Sequence, residues 1–395
     1  MRRLIASALV VLTNVSSAQA ARRAEHFRHG INLSEWFAQV YDPKGYTKEH
    51  FETWTTAQDL ALIRSMGFDH VRLSVNPEPM FRRRNADRIP GEYLGYLDAA
   101  VQSILDHDLA VEIDLHPESE FKHRLDDDGF VEELADFWRA LAQHYADRDP
   151  ERVVFEVMNE PEMRDRERWY GVETRLVAAI RAGAPHHTII VAGARWSDDD
   201  DLLAMAPMRD TNLIYNFHFY EPHIFTHQGA TWAVSFWHYL HGLPYPSDPA
   251  NVMAAAALVP DPVDRLSVVR YGMDRWGPDR ITGEIAQVAE WAARWNVPVV
   301  CNEFGVFRLA ATPARSRRMA RRYPDGARAA WDRVDDVGLQ RWLRRGHEAE
   351  RHSRSRSRNA AGTRLEPLIR EIPAADTASP IGARSCRRPP GRVES

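Results

Sequence analysis

Two short apolar runs, each followed closely by a glutamate, limit most strongly what this chain can fold into. The first is Arg152-Val-Val-Phe-Glu-Val-Met-Asn-Glu-Pro161 and the second is Val297-Pro-Val-Val-Cys-Asn-Glu-Phe-Gly305. Runs that are rich in β-branched residues and end in polar residues are typical of buried parallel strands. In a parallel α/β barrel, the C-terminal ends of the strands meet on the face where catalytic groups are assembled. We therefore expect Glu160 and Glu303 to face each other across one pocket.

Five further apolar runs of the same kind alternate with segments of helical periodicity. The predicted strands are 27–33, 70–75, 110–116, 188–193 and 213–220, and the predicted helices include 55–66, 93–107, 131–145, 166–181 and 283–295. Parallel strands joined by right-handed helical crossovers predict an α/β fold, a (β/α)8 TIM barrel. The eighth strand is missing or scrambled in the written sequence after Glu303. The length of 395 residues leaves room for one catalytic barrel, which we place at 21–312.

The first twenty residues have the pattern of a secretory signal peptide. A basic start, Met1-Arg-Arg, precedes an apolar run, and the small residues end at Ala18-Gln-Ala20. This order of features predicts removal of 1–20 after Ala20 and a secreted protein, extracellular or periplasmic. The apolar run is too short for a permanent membrane span, so we expect no membrane association. We also expect the protein to be a monomer.

Charge and cysteine content exclude other classes. A formal net charge of −5 and a pI near 6.4 give no support to a nucleic-acid partner for the whole chain. Only Cys301 and Cys386 are present, so the sequence predicts no disulfide framework. Cys301 lies inside a predicted buried strand, where it is interpreted as a small apolar side chain.

These features together resemble glycoside hydrolase family 5, the cellulase-type retaining β-glycosidases. The resemblance is carried by Asn159-Glu160-Pro161 after strand four, by Glu303 after strand seven and by Gly30-Ile-Asn-Leu33 at the first strand, and it covers about 27–307. It implies an active-site set that is present in full. That set is Arg72, His116, Asn159, Glu160, His218, Tyr220 and Glu303. The family also has a Trp at the end of strand eight, which cannot be placed in the written sequence.

The resemblance implies a role for each of these residues. Cleavage with retention needs one carboxyl group as acid and then base, and a second as nucleophile. Glu160 would be the acid and base, and Glu303 the nucleophile, kept ionised by Arg72 and Tyr220. Asn159 would bind the sugar 2-hydroxyl. His218 would tune Glu160, and His116 would bind another hydroxyl.

Aromatic residues after the strands suggest where sugar rings bind. Trp36 follows strand one and Trp232 follows strand six, and both are predicted to form the floor of sugar subsites. Trp196 and Trp237 are equally compatible with core packing. The insertion at 230–281, with a helix at 262–276, is expected to wall the cleft. The histidines at 218, 223 and 227 match no known zinc spacing, so we predict no metal and no cofactor.

The chain changes character after Phe307. From Ala314 onward it is rich in arginine, includes Arg354-Ser-Arg-Ser-Arg358 and lacks strand-like runs. At face value, 313–395 is a disordered basic tail or a segment that binds polyanions. A third interpretation is a reading-frame error, because lysine occurs only at positions 44, 48 and 122, as a GC-rich gene would produce.

The genetic code allows a test of this third interpretation. Codons chosen for 331–346 and read one base later give GIGWTMWDYNGGFGV, a strand and a glycine-rich turn that resemble the missing eighth strand of the family. Our hypothesis is that the frame shifts between about Pro313 and Ala330. If the chain is made as written, the barrel has two open edges, and we expect poor folding and little activity.

The sequence thus predicts a secreted hydrolase of polysaccharide or oligosaccharide chains, with an endo-β-1,4-glucanase as the preferred activity. A β-mannanase, a xyloglucanase or a β-1,3-glucanase stays open, because the shared residues set the mechanism and not the sugar. An inactive carbohydrate-binding barrel is the alternative from another class. A scaffold that acts through its basic tail is a third.

Overall fold

A computed structural model describes residues 19–307 and 310–311. In this part, seven parallel strands form one sheet whose spatial order follows the sequence. The strands are β1 (Gly30–Asn32), β2 (His70–Val75), β3 (Ala110–Leu115), β4 (Val153–Glu156), β5 (Ile189–Ala192), β6 (Leu213–His218) and β7 (Val299–Glu303). Strands that are neighbours in sequence are neighbours in space, which is the order of a β/α barrel and confirms the predicted fold class.

Helices follow most strands and cover the outside of the sheet. They are α1 (Lys48–Thr53), α2 (Ala57–Ser65), α3 (Gly91–Asp106), α4 (Ser119–Lys122), α5 (Asp128–His144), α6 (Arg166–Gly183), α7 (Asp199–Ala204), α8 (His223–Thr226), α9 (Met253–Ala256), α10 (Pro262–Met273) and α11 (Pro278–Trp295). Short 3₁₀ turns occupy Ser34–Trp36, His123–Asp126 and Ser235–Tyr239.

Local sequence explains where several helices begin and end. Thr56 and Asp59 exchange side-chain and backbone hydrogen bonds at the start of α2, which forms a capping box. Helix α11 begins with Pro278, whose missing N–H is not needed in the first turn, and ends at Asn296 in the left-handed region. The predicted helices at these positions are confirmed, with bounds that differ by a few residues.

The core lies between the sheet and the helices, and the barrel interior is layered. Tryptophans of α5 and α6 reach the strands: Trp138 Nε1 donates to Val157 O at 3.1 Å and Trp169 Nε1 to Ala192 O at 2.9 Å. Inside the barrel, an apolar cluster formed by Phe27, Ala110, Val154, Ile190 and Ile214 fills the end where the strands begin. Because strand side chains alternate with a period of two, polar residues two positions further along form the next layer.

The strand that leads to Glu160 ends earlier than predicted. Strand β4 ends at Glu156, and the chain continues beside its neighbours through bonds from Val157 N to Ile190 O at 3.1 Å and from Asn159 N to Leu115 O at 2.8 Å. Glu160 then adopts a left-handed conformation with φ of 43°. Such a conformation is uncommon for a residue other than glycine and is concentrated at functional sites. Glu160 therefore lies on a turn and not at the strand end.

The last described strand is less covered than the others. Strands β2 to β6 are buried throughout, whereas Val299–Asn302 of β7 are half-buried. Residues 1–18 of the predicted leader (1–20), the eighth strand and the basic tail fall outside the described residues. Among the helices that the structure describes, none has the length and apolar character needed to cross a bilayer.

Candidate active site

The two glutamates meet at the C-terminal end of the barrel, as predicted. One oxygen of Glu160, one of Glu303 and a ring nitrogen of His218 all lie within 4.8 Å of one another. The Glu303 side chain is nearly buried, at 8% exposed, and that of Glu160 is 27% exposed. Two carboxyl groups in one pocket, one buried and one accessible, can take different roles in a proton-coupled substitution.

Glu303 is held by donors on both of its oxygens. Arg72 Nη1 makes a short ion pair with Oε1, and the Tyr220 hydroxyl donates to Oε2 at 3.0 Å. Burial alone would raise the pKa of Glu303, but the positive charges of His218 and Arg72, with further contributions from His116 and Tyr220, lower it to about 2. Glu303 is therefore ionised at neutral pH, as a carboxylate nucleophile must be.

His218 links the two carboxyl groups. Its Nδ1 lies 3.0 Å from Glu160 Oε1 and 3.5 Å from Glu303 Oε2. Burial would lower the pKa of His218, and the charges of Glu303 and Glu160 together raise it above its ordinary value. The backbone fixes the ring from the neighbouring loop, because His218 N donates to Ser197 O at 2.8 Å. The imidazole can thus exchange a proton with Glu160 or hold its carboxyl group in place.

Asn159 and His116 are each oriented by a buried charged residue. Asn159 Oδ1 accepts from Arg72 Nη2 at 3.0 Å, which leaves Nδ2 as the donor end of this amide. His116 Nδ1 lies 2.7 Å from Asp114 Oδ2, in a pair that is almost wholly buried. Both residues follow or end neighbouring strands, so the predicted set of seven residues is brought together in one place.

Comparison with known families identifies the family of this chain. The model of Cellulase (glycosyl hydrolase family 5) matches residues 33–324. The chain belongs to this family. It is a glycoside hydrolase, and its seven-stranded sheet is that of the (β/α)8 barrel.

Relatives and solved structures agree with this family assignment. Endoglucanase C of Acetivibrio thermocellus is 27% identical over 296 residues, which is 73% of this chain and 84% of the relative. The endoglucanase Cel5A of Thermotoga maritima has the same fold, with a TM-score of 0.60 and 22% identity over 77% of this chain and 88% of that one. Cel5A has also been solved with mannotriose, with a TM-score of 0.59 and 22% identity over 75% and 85% of the two chains.

The two predicted sugar-binding tryptophans lie in different environments. Trp36 of this family 5 hydrolase is only 4% exposed, and its Nε1 donates to Phe51 O at 2.9 Å. Because Trp36 is part of the buried core, the prediction that it forms a sugar floor is wrong. Trp232 is 61% exposed and packs edge-on against Phe307 at 4.8 Å, so one face is open. Trp196, after β5, is also exposed.

The insertion between β6 and β7 forms one wall of a cavity. This cavity of about 650 Å³ lies between the ends of β5 and β6 and the helix α10, and its lining includes Asp199, Glu221, His223, Trp237 and Tyr271. The insertion has a packed interior of its own, with Leu243 and Val268 fully buried. The insertion is therefore folded in the described part of the chain, and because Glu160 and Glu303 do not line this cavity, its role as a wall of the catalytic cleft stays a prediction.

Three buried acidic residues of the barrel interior, which lie beside Arg72, were not singled out from the sequence. Glu112, Asp114 and Glu156 all lie close to the guanidinium of Arg72. Glu112 and Asp114 alternate with apolar residues in β3, and Glu156 ends the apolar run of β4, so acidic residues within buried strands are the signal in the sequence that marks them. An acidic side chain in a fully buried strand needs polar partners, and Arg72 is the nearest cation that the fold supplies.

Proposed function

We propose that this family 5 hydrolase is a secreted endo-β-1,4-glucanase that cleaves its substrate with retention of configuration. The supporting observation is the separation of Glu160 and Glu303, whose nearest oxygens lie within 4.8 Å. Retaining glycosidases have their two carboxyl groups about 5–5.5 Å apart, whereas inverting enzymes leave about 6.5–9.5 Å for a water molecule. The pocket therefore suits attack by a carboxylate and not by a water held between the two groups.

The proposed reaction has two displacements. Glu303 attacks the anomeric carbon while Glu160 donates its proton to the departing glycosidic oxygen, which gives a glycosyl ester on Glu303 and releases the first product. Glu160, now a carboxylate, takes a proton from water, and the hydroxide oxygen displaces Glu303 from the anomeric carbon. Two inversions give net retention, and Glu160 is protonated again for the next cycle.

The surrounding residues favour this division of roles. Arg72 and Tyr220 stabilise the carboxylate form of Glu303, which is the attacking form and also the leaving form. His218 contacts both carboxyl groups and so connects Glu160 with Glu303. Asn159 Nδ2 is positioned to donate to the sugar 2-hydroxyl, an interaction that strengthens in the transition state.

The preference for β-1,4-glucan rests on the relatives and not on the pocket. Endoglucanase C and Cel5A are named for activity on glucan chains, and Cel5A also binds mannotriose. A β-mannanase is therefore the second candidate for this chain. Trp232, with one open face, is the aromatic residue that we propose stacks on a sugar ring.

Hydrolysis of carboxymethyl-cellulose, mannan and laminarin by the purified protein tests the proposal. We expect activity on carboxymethyl-cellulose, a β-anomer as the first product seen by NMR, and loss of hydrolysis in E160Q and E303Q. A product that appears first as the α-anomer contradicts retention. Activity on mannan alone supports the second candidate, and oligosaccharide binding without turnover in folded protein supports an inactive binding barrel.

We also propose that 1–20 is removed on secretion. Arg23, close after the predicted cleavage site, is buried and bonded to Glu151 at 2.8 Å and to Thr188 Oγ1 at 3.1 Å, so a mature chain that starts at Ala21 keeps this anchor. The N-terminal sequence of protein from the medium or periplasm is expected to start at Ala21. Recovery of the chain only in the cytoplasm, with Met1 intact, contradicts secretion.

The frame shift remains a proposal about residues outside those described. Two observations support it: Val299–Asn302 are half-buried, and the family match ends at residue 324, within the interval where we place the shift. Resequencing the codons for 311–331 from genomic DNA tests it. A single-base difference that restores GIGWTMWDYNGGFGV supports the proposal, and an unchanged sequence contradicts it.

A further inference from the structure

A buried glutamate beneath the catalytic pair has an unusually complete set of partners. Glu156 ends β4, is buried, and accepts four hydrogen bonds. The donors are Arg72 Nε at 2.6 Å, Arg72 Nη2 at 2.9 Å, Asn216 Nδ2 at 2.8 Å and Asn302 Nδ2 at 3.0 Å. None of these donors is a proposed acid, base or nucleophile, and Arg72 is the donor that also hydrogen-bonds to Glu303.

The guanidinium of Arg72 has five N–H groups in one plane, and all of them are engaged. Glu156 accepts two of these hydrogen bonds, from Nε and Nη2, along one edge of the guanidinium. The other bonds go to Asn32 Oδ1 at 3.0 Å, to Asn159 Oδ1 at 3.0 Å and to Glu303 in the short ion pair. Because the group is rigid and planar, fixing one edge fixes the direction of the remaining N–H groups. The position of Glu156 therefore determines where Arg72 meets Glu303 and Asn159.

A second buried glutamate in the same layer provides a natural comparison. Glu112 Oε1 lies 3.5 Å from Arg72 Nε, beyond the two short bonds of Glu156, and accepts from Asn302 Nδ2 at 2.9 Å. Burial and the charge of Glu156 raise the pKa of Glu112 well above its ordinary value, whereas burial of Glu156 is offset by Arg72 and its pKa is lowered to about 2. Glu112 is thus the neutral acid of the pair and Glu156 the carboxylate.

We propose that Glu156 is a positioning residue, whose two bonds to Arg72 hold the guanidinium so that it contacts both the nucleophile Glu303 and the 2-hydroxyl-binding Asn159. The kinetic effects expected from this inference rest on the proposed function, whereas the effect on the position of Arg72 does not. The role is distinct from stability alone, because it connects a residue that does not touch substrate to a particular hydroxyl of the sugar.

The test replaces Glu156 by Gln, which keeps the shape but turns half of the acceptor into a donor. Each carboxylate oxygen accepts one bond from Arg72 and one from an asparagine, so the amide NH2 removes two of the four bonds, one of them from Arg72, whichever way the amide turns. Crystal structures are expected to show Arg72 Nη1 displaced from Glu303 Oε1 in E156Q. For an aryl β-cellobioside, we expect kcat to fall about 100-fold, since misplacement by about 1 Å has that effect, while KM changes little.

The readout specific to positioning is discrimination at the 2-hydroxyl. Wild-type enzyme is expected to hydrolyse the aryl β-cellobioside faster than its analogue that lacks the 2-hydroxyl on the sugar whose glycosidic bond is cleaved. E156Q is expected to lose most of this preference, because Asn159 is no longer held in place to bind that hydroxyl. The matched control is E112Q, which exchanges one neutral group for another in the same layer. E112Q is expected to keep the wild-type Arg72 geometry, kcat and preference.

Three results overturn the proposal. They are an unmoved Arg72 in the E156Q crystal structure, an E156Q enzyme that keeps its preference for the 2-hydroxyl, and equal effects of E156Q and E112Q. If E156Q does not fold, E156D replaces it, because Asp keeps the charge and withdraws it by one methylene; an E156D enzyme with wild-type preference overturns the proposal equally. Wild-type protein without hydrolysis counts against the proposed function, and the crystal structures still decide the positioning.

Discussion

Replacing Arg72 by Met tests whether one buried cation holds the polar layer of the barrel together. Arg72 is buried and bonded to Glu156 and Glu303, and it also lies 3.1 Å from Asp114 Oδ2. Met has a similar length and no charge, so the substitution removes the cation with little change in packing. The carboxylates then remain in a buried site with no guanidinium between them.

The expected loss of stability is about 3–5 kcal/mol, the usual cost of removing one partner from a buried ion pair. The pKa of Glu156 and that of Glu303 are each lowered to about 2, against an ordinary value of 4.5. A lowered pKa means stability that is present above about pH 4.5 and is lost as the pH falls through about 2. The free energy of unfolding of the wild-type protein should therefore decrease in acid.

The variant should show the opposite slope between neutral pH and about pH 5. Without Arg72, burial raises the pKa of Glu156, whose main compensating charge is lost, so the folded state binds more protons than the unfolded state and becomes more stable as the pH falls. The difference between wild type and R72M is thus largest near pH 7 and shrinks toward about pH 4.5. The sign of this change, more than its size, identifies uncompensated buried carboxylates.

Urea unfolding followed by far-UV circular dichroism at about pH 7 and about pH 4.5 measures this difference. The control is R83M: Arg83 is 59% exposed and pairs with Glu133 at 3.0 Å on the surface. An exposed pair contributes about 0–1 kcal/mol, so R83M should lose little at either pH. The reasoning is refuted if R72M loses no more stability than R83M, or if its loss is the same at both pH values.

Three further predictions concern single side chains of the cleft. Glu160→Ala should lower hydrolysis of cello-oligosaccharides about 10²–10⁴-fold, and azide should restore turnover of an activated aryl cellobioside as a β-glycosyl azide; absence of azide rescue argues against Glu160 as acid and base. Tyr220→Phe should raise the pKa of Glu303 and move the acid limb of the kcat/KM profile upward by about one pH unit, while an unmoved limb contradicts the hydrogen bond's role. Trp232→Ala should raise KM for long oligosaccharides without changing Tm, whereas Trp36→Ala should cost about 3–5 kcal/mol of folding free energy; the reverse pattern contradicts both placements.

The fold could be predicted because each strand carries its own signal. Runs such as Val153–Glu156 and Ile189–Ala192 are apolar and β-branched enough to be identified alone, and their alternation with helices specifies a parallel sheet. The end of β4 could not be predicted in the same way. The apolar pattern continues beyond Glu156, and only the contacts with neighbouring strands and the left-handed turn at Glu160 decide where regular pairing stops.

The residues of the site could be predicted from the polar residue types at the ends of the strands, but their contacts could not. The contact between Glu160 and His218 joins residues 58 apart in sequence, and that between Arg72 and Glu303 joins residues 231 apart, so both depend on barrel formation. The burial of Trp36 depends on Phe51 in α1, whose position no local pattern indicates. Side-chain exposure after a strand is a tertiary property, and a prediction from position along the chain fails there.

The polar layer and the apolar edge of the barrel are stabilised by different interactions. Asn32 Nδ2 on β1 donates to Asn302 O on β7 at 3.1 Å, and Arg72 joins Asn32 to Glu303, so hydrogen bonds link the first and last described strands at the level of the catalytic pair. The half-buried residues Val299–Cys301 of β7 lie below this level and gain no such link from the residues that the structure describes. A closing strand would add apolar burial and backbone pairing at that edge, while the contacts that orient Glu303 already exist among the seven described strands. Loss of the eighth strand should therefore reduce the stability of the barrel. Any loss of catalysis should follow from this lower stability and not from removal of the partners of Glu303.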